Sequence, residues 1–151
     1  MFRIYRDKLR AEETAVEIRN QTGNENVQLL PADLGSQSQI RAAAAEFLAM
    51  ATPLHVLINN AGLGNTKRMV TDDGIETVFA VNHLAYFLPT ILLLDRIKQS
   101  ATARIVNVTS EAHRFGTIKF DDLGARRYRT FAHIASQSWQ IYCSPMNSRG
   151  G

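Results

Sequence analysis

Polar side chains follow three strand-like runs of this sequence, each at the point where the run ends. Asp33 comes after "VQLLPA", Asn60 after "LHVLIN" and Ser110 after "RIVNVT". In an open parallel sheet, ligands bind at the carboxyl ends of the strands. Carboxylate, amide and hydroxyl groups at these ends can form hydrogen bonds with a bound molecule. These positions are therefore the first candidates for a functional site.

Each candidate also has a purely structural interpretation. Asp33 is equally suited to cap the next helix, and for that residue alone capping is the better interpretation. Asn60 is followed by Ala61 and Gly62, small residues that allow a ligand to approach the backbone or simply form a tight turn. Ser110 can be a helix cap. The residues taken one by one leave these alternatives open.

The strand-like runs alternate with helix-like segments. Asp7 is placed to cap the first helix, and residues 74–98 indicate a long helix. In that helix Asn82 interrupts the apolar pattern, so its amide either forms a hydrogen bond within the packed interior or belongs to a functional site. Pro89 predicts a kink in the same helix. The candidate caps of this helix are Thr71, Asp72 and Asp73.

The order of elements is β-α-β-α-β-α-β, which predicts an α/β fold with a doubly wound parallel sheet. The strand runs are "MFRIYR", "VQLLP", "LHVLIN" and "ARIVNVT". The last two contain continuous apolar stretches, which are typical of strands buried on both faces.

Composition narrows the class of protein. The chain has 151 residues, of which 45% are apolar and 21% are charged, as in one soluble globular domain. The formal net charge is +3, but Lys and Arg are interspersed with Asp and Glu, so no basic face for nucleic acid is predicted. Cys143 is the only cysteine, which excludes an internal disulfide and favours a reducing compartment.

The apolar stretches and the histidine spacing of the sequence bear on localisation and on metal binding. The first residues contain no apolar core typical of a signal peptide. The longest apolar stretch, "LAYFLPTILLL", is shorter than the roughly 20 residues of a membrane span. We therefore expect a cytoplasmic protein without a membrane span. The histidines show no metal-ligand spacing, and no metal is predicted at His55, His83, His113 or His133.

Four segments together resemble a known enzyme family. "DL" after the second strand run, "LINNAG" at the third, "VFAVNHLAYF" in the long helix and "RIVNVTSEAHRFG" at the fourth follow the order and spacing of the short-chain dehydrogenase/reductase family. "YRD" and "IKFDDL" are similar to its retinol-dehydrogenase-like branch. The resemblance covers residues 2–128 and implies a Rossmann-like fold.

The resemblance implies a nicotinamide dinucleotide as cofactor. Asp33 and Leu34 would contact its adenine end. Arg6 matches the basic residue that this branch uses for the 2′-phosphate of NADP, and a guanidinium pairs well with phosphate. We therefore expect NADP rather than NAD, while Asp7 beside Arg6 keeps NAD as an alternative.

The remaining site residues are also assigned by the resemblance. Asn60, Ala61 and Gly62 would line the path of the cofactor along the sheet edge. Ser110 matches the serine that steadies the substrate, and Asn82 matches the asparagine that anchors a water chain to the active-site lysine. The implied reaction is hydride transfer between NADP(H) and a hydrophobic alcohol or carbonyl. A tyrosine serves as acid or base, and a lysine cation lowers its phenol pKa from about 10.

Two parts of the family pattern have no counterpart in this sequence. The first strand and the glycine-rich turn, which places the pyrophosphate at a helix N-terminus, are missing, so we expect an incomplete sheet with an exposed strand edge that favours aggregation. The tyrosine-x-x-x-lysine pair is also missing. Four positions after each tyrosine stands another residue type: Tyr5 and Leu9, Tyr86 and Thr90, Tyr128 and Ala132, Tyr142 and Met146.

The end of the chain has no helical or strand pattern, and we interpret residues 132–151 as a non-native tail after a partial dehydrogenase domain of residues 1–131. The family has a segment similar to "AYxQSKLANILF" where this chain has "AHIASQSWQIYCS". Read in a shifted codon frame, residues 136–149 are compatible with "SKLANILFTNEFA", and the genetic code forces three of its residues. The hypothesis is a frameshift within residues 126–132.

The sequence therefore predicts an NADP-linked oxidoreductase domain that has little or no activity in this chain. The alternative is a non-catalytic binding or regulatory remnant that pairs with an intact relative, and a homo-oligomer is a candidate assembly. A flavodoxin-like domain is a third interpretation, which the sequence disfavours because it contains no recognisable phosphate loop.

Overall fold

The computed structural model describes residues 1–111, 114, 122 and 126. Short strands alternate with helices in the predicted order, which confirms the α/β fold class. The elements are β1 (Phe2–Tyr5), α1 (Lys8–Thr22), β2 (Gln28–Pro31), α2 (Gln37–Ala49), β3 (Val56–Asn59), α3 (Thr77–Phe79), a π-helical segment (Ala80–Leu84), α4 (Ala85–Gln99) and β4 (Arg104–Asn107).

The strands pair in parallel, as the alternation of strands and helices requires. β1 pairs with β2, with Phe2 opposite Gln28, and β3 pairs with β4, with Val56 opposite Arg104. We expected one sheet, whereas the described strands form two separate two-stranded sheets. Four strands are therefore present in the expected order, but backbone hydrogen bonds join them only as two separate pairs, which form two halves of the described structure.

Helices α2 and α4 hold the two halves together. They pack against each other, and their buried side chains share one apolar cluster with residues of the strands. Phe2 of β1 meets Phe47 of α2 edge to face, with ring centroids 4.9 Å apart. The buried members of the cluster are Leu30, Ala32, Ala43, Ala44, Phe47, Leu93 and Ile97.

One face of the β3–β4 pair is open to solvent. Leu57 and Ile105 face the helices and pack on the apolar cluster. The alternate residues are exposed, with Val56 at 45%, Ile58 at 61% and Val106 at 39%. The prediction that these strands are buried on both faces was wrong for the described residues. An apolar run shows that a strand can be buried on both faces, but each face becomes buried only where another layer of the protein packs against it.

Helix α1 follows the local signals of its sequence. Asp7 is its N-cap, and one carboxylate oxygen accepts a hydrogen bond from the Arg10 backbone nitrogen at 3.2 Å, as predicted. Gly23 ends the helix with φ of 67°, a left-handed conformation that glycine adopts without strain. The helix packs against β2 and buries Ala11 and Ala15.

The long helical region begins later than its sequence suggested. Glu76 caps its first turn by accepting hydrogen bonds from the backbone nitrogens of Val78 at 3.0 Å and Phe79 at 2.8 Å. The prediction of a start near Gly74, with a cap at residues 71–73, was wrong. The exposed fraction of Glu76 is only 2%, so tertiary packing placed a carboxylate where local rules favour a small polar residue.

The irregular turn of this region lies before Pro89. The five residues Ala80–Leu84 form a π-helical segment, and α4 continues through Pro89 without interruption. Proline lacks the backbone donor of an ordinary helical residue, and single π-helical turns frequently mark functional sites. The strongest departure from regular helix therefore falls at Asn82 and not at the proline.

The same region bears on the expectation of no membrane span. Thr77–Gln99 forms a helical stretch of 23 residues that is long and apolar enough to cross a membrane by length and composition. Within its most apolar window, 44% is buried against the rest of the protein. The core helix of a soluble protein has the same properties, so the absence of a span stays a prediction.

Candidate functional site

The carboxyl ends of β1 and β2 bring Arg6 and Asp33 together. The Arg6 Nη1 atom lies 3.8 Å from the Asp33 Oδ2 atom, and the exposed fractions of the two side chains are 77% and 38%. The connection from β1 to α1 consists of Arg6 and Asp7 alone, without glycine. An exposed guanidinium therefore lies at this edge beside the cap of α1.

Asp33 folds back on its own turn. Its Oδ1 atom accepts a hydrogen bond from the Gly35 nitrogen at 2.8 Å, and its own nitrogen donates to the Gln39 side chain at 2.8 Å. A side chain at Gly35 would place its Cβ 3.2 Å from Asp33 Oδ1, a tighter approach than nine in ten real Cβ contacts. Leu34 is half-buried in the same turn.

The interpretation of Asp33 as a helix cap was wrong. Ser36 occupies the N-cap position of α2 and makes no side-chain capping bond. The Gln37 nitrogen donates instead to Asp73, whose carboxylate oxygen lies 2.7 Å away. Because Asp73 is remote in sequence, only the tertiary structure reveals this link. Asp33 therefore does not cap α2, and its second carboxylate oxygen, Oδ2, is directed at Arg6.

A loop follows β3 and is fastened to the π-helical segment by Asn82. The Asn82 Oδ1 atom accepts from the Leu63 nitrogen, and the Nδ2 atom donates to the Leu63 oxygen, both at 2.9 Å. These bonds fix the loop that begins with Asn60, Ala61 and Gly62. Both polar atoms of the Asn82 side chain are thus used in packing, and its predicted role in a water chain stays a prediction.

Ser110 lies at the same edge, three residues beyond the end of β4, and is exposed. The strand ladder extends one bond past β4, because the Val108 nitrogen donates to the Asn59 oxygen at 2.9 Å. The Tyr86 hydroxyl of α4 donates to the Val108 oxygen at 3.3 Å. Helix α4 therefore supports the segment that leads to Ser110, while the role of Ser110 stays a prediction.

Sequence reasoning missed a group of buried polar residues behind this edge. The Asn59 Nδ2 atom donates to Asn107 Oδ1 at 2.8 Å and to Thr90 Oγ1 at 3.2 Å. Asn59 is 6% exposed and Thr90 is fully buried. The signal was present in "VLIN" and "RIVN", where each apolar run ends in an asparagine.

Burial shifts the pKa of two groups near this edge. His83 stacks on Phe79, with ring centroids 5.2 Å apart, and burial lowers the pKa of the His83 imidazole below its ordinary 6.5. Burial raises the pKa of the Tyr86 phenol above 10.0. Both groups are therefore held in their neutral forms by the apolar surroundings.

Several predictions concern residues beyond the described part of the chain. His113, His133 and Cys143 lie there, as do the proposed tail of residues 132–151 and the frameshift. Among residues 1–111, 114, 122 and 126, no cluster of three or more His, Cys, Asp or Glu side chains is placed to hold a metal ion.

The chain also matches a known protein family over most of its length. A family model described as short chain dehydrogenase matches residues 2–122. The chain belongs to this family. Members of this family are oxidoreductases that use a nicotinamide dinucleotide, and the family accounts for the fold.

Individual relatives narrow the family to its retinol-dehydrogenase-like branch. "Retinol dehydrogenase 12" of Mus musculus is 50% identical over an alignment of 130 residues, and the alignment covers 83% of this chain and 41% of the relative. "Retinol dehydrogenase 12" of Homo sapiens is 49% identical over an alignment of 140 residues, and the alignment covers 89% of this chain and 44% of the relative. The chain thus spans about two fifths of these relatives.

Solved structures show the same fold. A short-chain dehydrogenase from Sphingobium yanoikuyae in complex with NADPH superimposes with a TM-score of 0.68 at 25% identity, covering 93% of this chain and 51% of that chain. The described strands and helices therefore correspond to about half of an intact dehydrogenase of this fold.

Proposed function

We propose that this chain carries the NADP(H)-binding part of an oxidoreductase that acts on a hydrophobic alcohol or carbonyl. The observation that supports it most directly is the exposed Arg6 guanidinium at the end of β1, beside the Asp33 carboxylate at the end of β2. A guanidinium at this place can pair with the 2′-phosphate that distinguishes NADP from NAD.

The neighbouring carboxylates leave Arg6 available for such a phosphate. Asp7 caps α1 and accepts from the Arg10 nitrogen, and one oxygen of Asp33 accepts from the Gly35 nitrogen. The Arg6–Asp33 pair is long and exposed, and exposed ion pairs contribute little free energy. A phosphate with greater charge and three acceptor oxygens can displace it at small cost.

The rest of the cofactor would run along the same edge. Gly62 lies next to the Asn82 amide, and a Cβ at Gly62 would lie 3.9 Å from Asn82 Oδ1, an ordinary contact distance. In this proposal Asn60, Ala61 and Gly62 flank the dinucleotide and Ser110 lies at the end that handles substrate. The nicotinamide ring, when bound, supplies the hydride.

Weak or absent turnover is part of the proposal. Tyr5 and Tyr86 are followed four positions on by Leu9 and Thr90, so neither forms the acid-base pair of the family. The hydrophobic substrate is inferred from the relatives of the chain, which are retinol dehydrogenases. A cytoplasmic location stays a prediction that cell fractionation can test.

Cofactor binding tests the proposal directly. The purified chain is titrated with NADPH and NADH while the nicotinamide fluorescence is followed. We expect NADPH to bind about 10- to 150-fold more tightly, because a charge-assisted hydrogen bond contributes roughly 1.5–3 kcal/mol. Arg6→Gln should reduce the affinity for NADPH to that for NADH.

Lys98→Gln is the matched control for the loss of one positive charge. Lys98 is exposed near the end of α4, and the Ser100 hydroxyl just beyond it accepts from the Leu54 nitrogen before β3. Lys98 therefore lies at the amino ends of the strands and should not affect binding. Equal affinities of wild-type chain for NADPH and NADH, or no binding, would contradict the proposal.

Turnover is tested separately with retinol and NADP, or with a hydrophobic aldehyde and NADPH. We expect absorbance at 340 nm, the nicotinamide band, to remain at the background rate. Rates typical of intact dehydrogenases would show that the chain contains an acid-base system other than the tyrosine and lysine of the family.

The exposed face of β3–β4 supports a second candidate function, a non-catalytic partner for an intact relative. Val56, Ile58 and Val106 form an apolar surface that soluble monomers ordinarily cover. Association without nicotinamide binding, measured by light scattering and fluorescence on the same sample, would favour this candidate. Cofactor binding by a monomer would favour the enzyme-like one.

A further inference from the structure

The turn that contains Asp33 and Leu34 leads directly into helix α2. The Asp33 backbone oxygen accepts a hydrogen bond from the Ser36 nitrogen at 3.0 Å, and its side chain accepts from the Gly35 nitrogen at 2.8 Å. Helix α2 begins at Gln37, immediately after this turn. Because the turn and the first residue of the helix are contiguous, a contact that holds the Gln37 backbone also restrains the turn.

A hairpin from a distant part of the chain, residues 69–77, reaches this helix start. Its two sides are joined by backbone hydrogen bonds, among them one from the Thr71 nitrogen to the Ile75 oxygen at 2.8 Å. Gly74 turns the chain with a φ of 76°, a left-handed conformation that glycine adopts without strain. Asp73 directly precedes Gly74 and therefore lies at the tip of the hairpin.

The tip of the hairpin contacts the start of α2 through Asp73. The Gln37 nitrogen donates to the Asp73 Oδ2 atom at 2.7 Å, a short distance that is typical of an ionised acceptor. The first backbone N–H groups of a helix have no acceptor within it, and Ser36 makes no side-chain capping bond. The Thr71 methyl group also lies against the turn, since a Cβ added at Gly35 would be 3.4 Å from Thr71 Cγ2.

The base of the hairpin belongs to the segment that holds the loop after β3. Glu76 is 2% exposed and caps the first turn of the long helical region. Further along that region, the Asn82 amide fixes the loop through both backbone atoms of Leu63. The hairpin therefore connects the loop that would flank the dinucleotide with the turn that would meet its adenine.

We propose that Asp73 is a positioning residue that holds the turn of Asp33 and Leu34 in place for the adenine end of the dinucleotide. The inference rests on the proposed function for its effect on cofactor affinity, while its effect on the turn requires no cofactor. NADPH and NADH share the adenine ring, so the loss of Asp73 should weaken both equally. The loss of Arg6, by contrast, should weaken NADPH alone.

The sign of the effect separates positioning from electrostatics. Asp73 is an exposed carboxylate, and the cofactor carries negatively charged phosphates, so removal of this charge by itself would strengthen binding. Positioning predicts the opposite result, weaker binding. Asp72 is the matched control, because it is the adjacent residue, carries the same charge and is also exposed.

The affinities of the full chain and its variants are measured by nicotinamide fluorescence. We expect Asp73→Ala to bind NADPH and NADH about fivefold more weakly, the equivalent of one ordinary hydrogen bond. Asp73→Asn keeps an acceptor oxygen and should stay within about twofold of the wild-type chain, as should Asp72→Ala. Ile97→Val, which removes one buried methyl group from the apolar cluster, should lower the unfolding midpoint and leave both affinities unchanged.

Three results of these titrations would overturn the inference. The first is an unchanged affinity of Asp73→Ala for both cofactors. The second is equal weakening by Asp72→Ala or Ile97→Val, which would indicate an effect of charge or of stability. The third is weakening of NADPH alone, which would mean that Asp73 acts on the 2′-phosphate and not on the adenine turn.

Amide hydrogen exchange tests the turn even if the wild-type chain binds neither cofactor. The Gln37 amide loses its acceptor in Asp73→Ala, so its exchange should become faster whatever the role of Asp73. The decisive amide is that of Gly35, which donates within the turn and should exchange faster in Asp73→Ala than in Asp73→Asn. Exchange of the Gln28 amide in β2 should be equal in the two variants. Unchanged exchange at Gly35 would refute the positioning role and leave the proposed function to its own test.

Discussion

In the β1–β2 half the polar groups at the carboxyl edge are exposed, whereas in the β3–β4 half the polar groups behind that edge are buried. Arg6 is 77% exposed and meets Asp33 at 3.8 Å. Asn59 and Thr90 are almost or fully buried and meet at hydrogen-bonding distance. The first pair can exchange partners at small cost, because water stabilises either separated charge. The second pair cannot, because a polar group buried inside the protein that loses a partner cannot replace it with water.

This difference suits two separate tasks. Recognition of a charged phosphate requires a charge that is free to change partner on binding. Alignment of two strand ends requires contacts that do not change. In the proposed function, the adaptable ion pair lies at the end that would meet adenosine phosphate, and the fixed amide group lies at the end that would meet nicotinamide and substrate.

The largest expected effect tests whether the two halves fold as one unit. Phe47→Ala removes a buried ring from the cluster shared by α2 and α4, and such truncations cost about 3–5 kcal/mol. We expect urea denaturation to show that loss, with hydrogen exchange accelerated in both strand pairs. Acceleration in β1–β2 alone would show that the halves open independently. Leu9→Ala, at a side chain that is 74% exposed, should change the stability by less than about 0.5 kcal/mol.

The next effect compares the two helix caps. Glu76 is buried and accepts two backbone hydrogen bonds, while the exposed Asp7 accepts one. We expect Glu76→Ala to lower the free energy of unfolding by about 2 kcal/mol and Asp7→Ala by about 1 kcal/mol. Glu76→Gln keeps one acceptor oxygen, so its free energy of unfolding should lie between that of Glu76→Ala and that of the wild-type chain. Equal losses for both alanine variants in thermal or urea denaturation would contradict the contrast in burial.

A smaller effect is expected for the exposed ion pair. A double-mutant cycle of Arg6→Gln and Asp33→Asn should give a coupling energy below about 0.5 kcal/mol, as for other exposed pairs. The single variants should fold normally. A coupling energy above about 1 kcal/mol in urea denaturation would mean that Arg6 is committed to Asp33, and would weaken the argument that it is available for a phosphate.

The smallest effect is a pH dependence carried by His83. Burial lowers the pKa of this imidazole below 6.5, so between the two pKa values the unfolded chain binds more protons than the folded chain. Stability should therefore fall as the pH decreases below about 6.5. His83→Gln should make the dependence between pH 7 and pH 5 shallower. An unchanged slope in the variant would show that other groups carry it.

The strand and helix pattern could be predicted closely, because local signals determine it. Asp7 and Gly23 bound α1 as capping and glycine preferences require, and the four apolar runs became four strands. The helix start at Glu76 could not be predicted in this way. Its cap is a long carboxylate that is stable there only because the surrounding structure buries and satisfies it.

Some residues of the candidate site could likewise be predicted from the sequence, and others could not. Asp33, Asn60 and Ser110 were identified because each directly follows a strand run, a property of order along the chain, and Arg6 was assigned by the resemblance to the family. The partners of Asn82 and Asn59 were not identified, since Leu63 is 19 residues from Asn82 and Asn107 is 48 residues from Asn59. Spacing within a single helix or strand contains no information about such pairs.

The sequence by itself determined the α/β order of elements, the family and the residue types at the strand ends, because periodicity, capping and motif spacing are local properties. The tertiary structure decided which polar groups are exposed and which are buried, and it left one face of β3–β4 open. Burial and hydrogen bonding depend on which distant segments meet. For that reason the availability of Arg6 and the fixed position of Asn59 could be learned only from the folded chain.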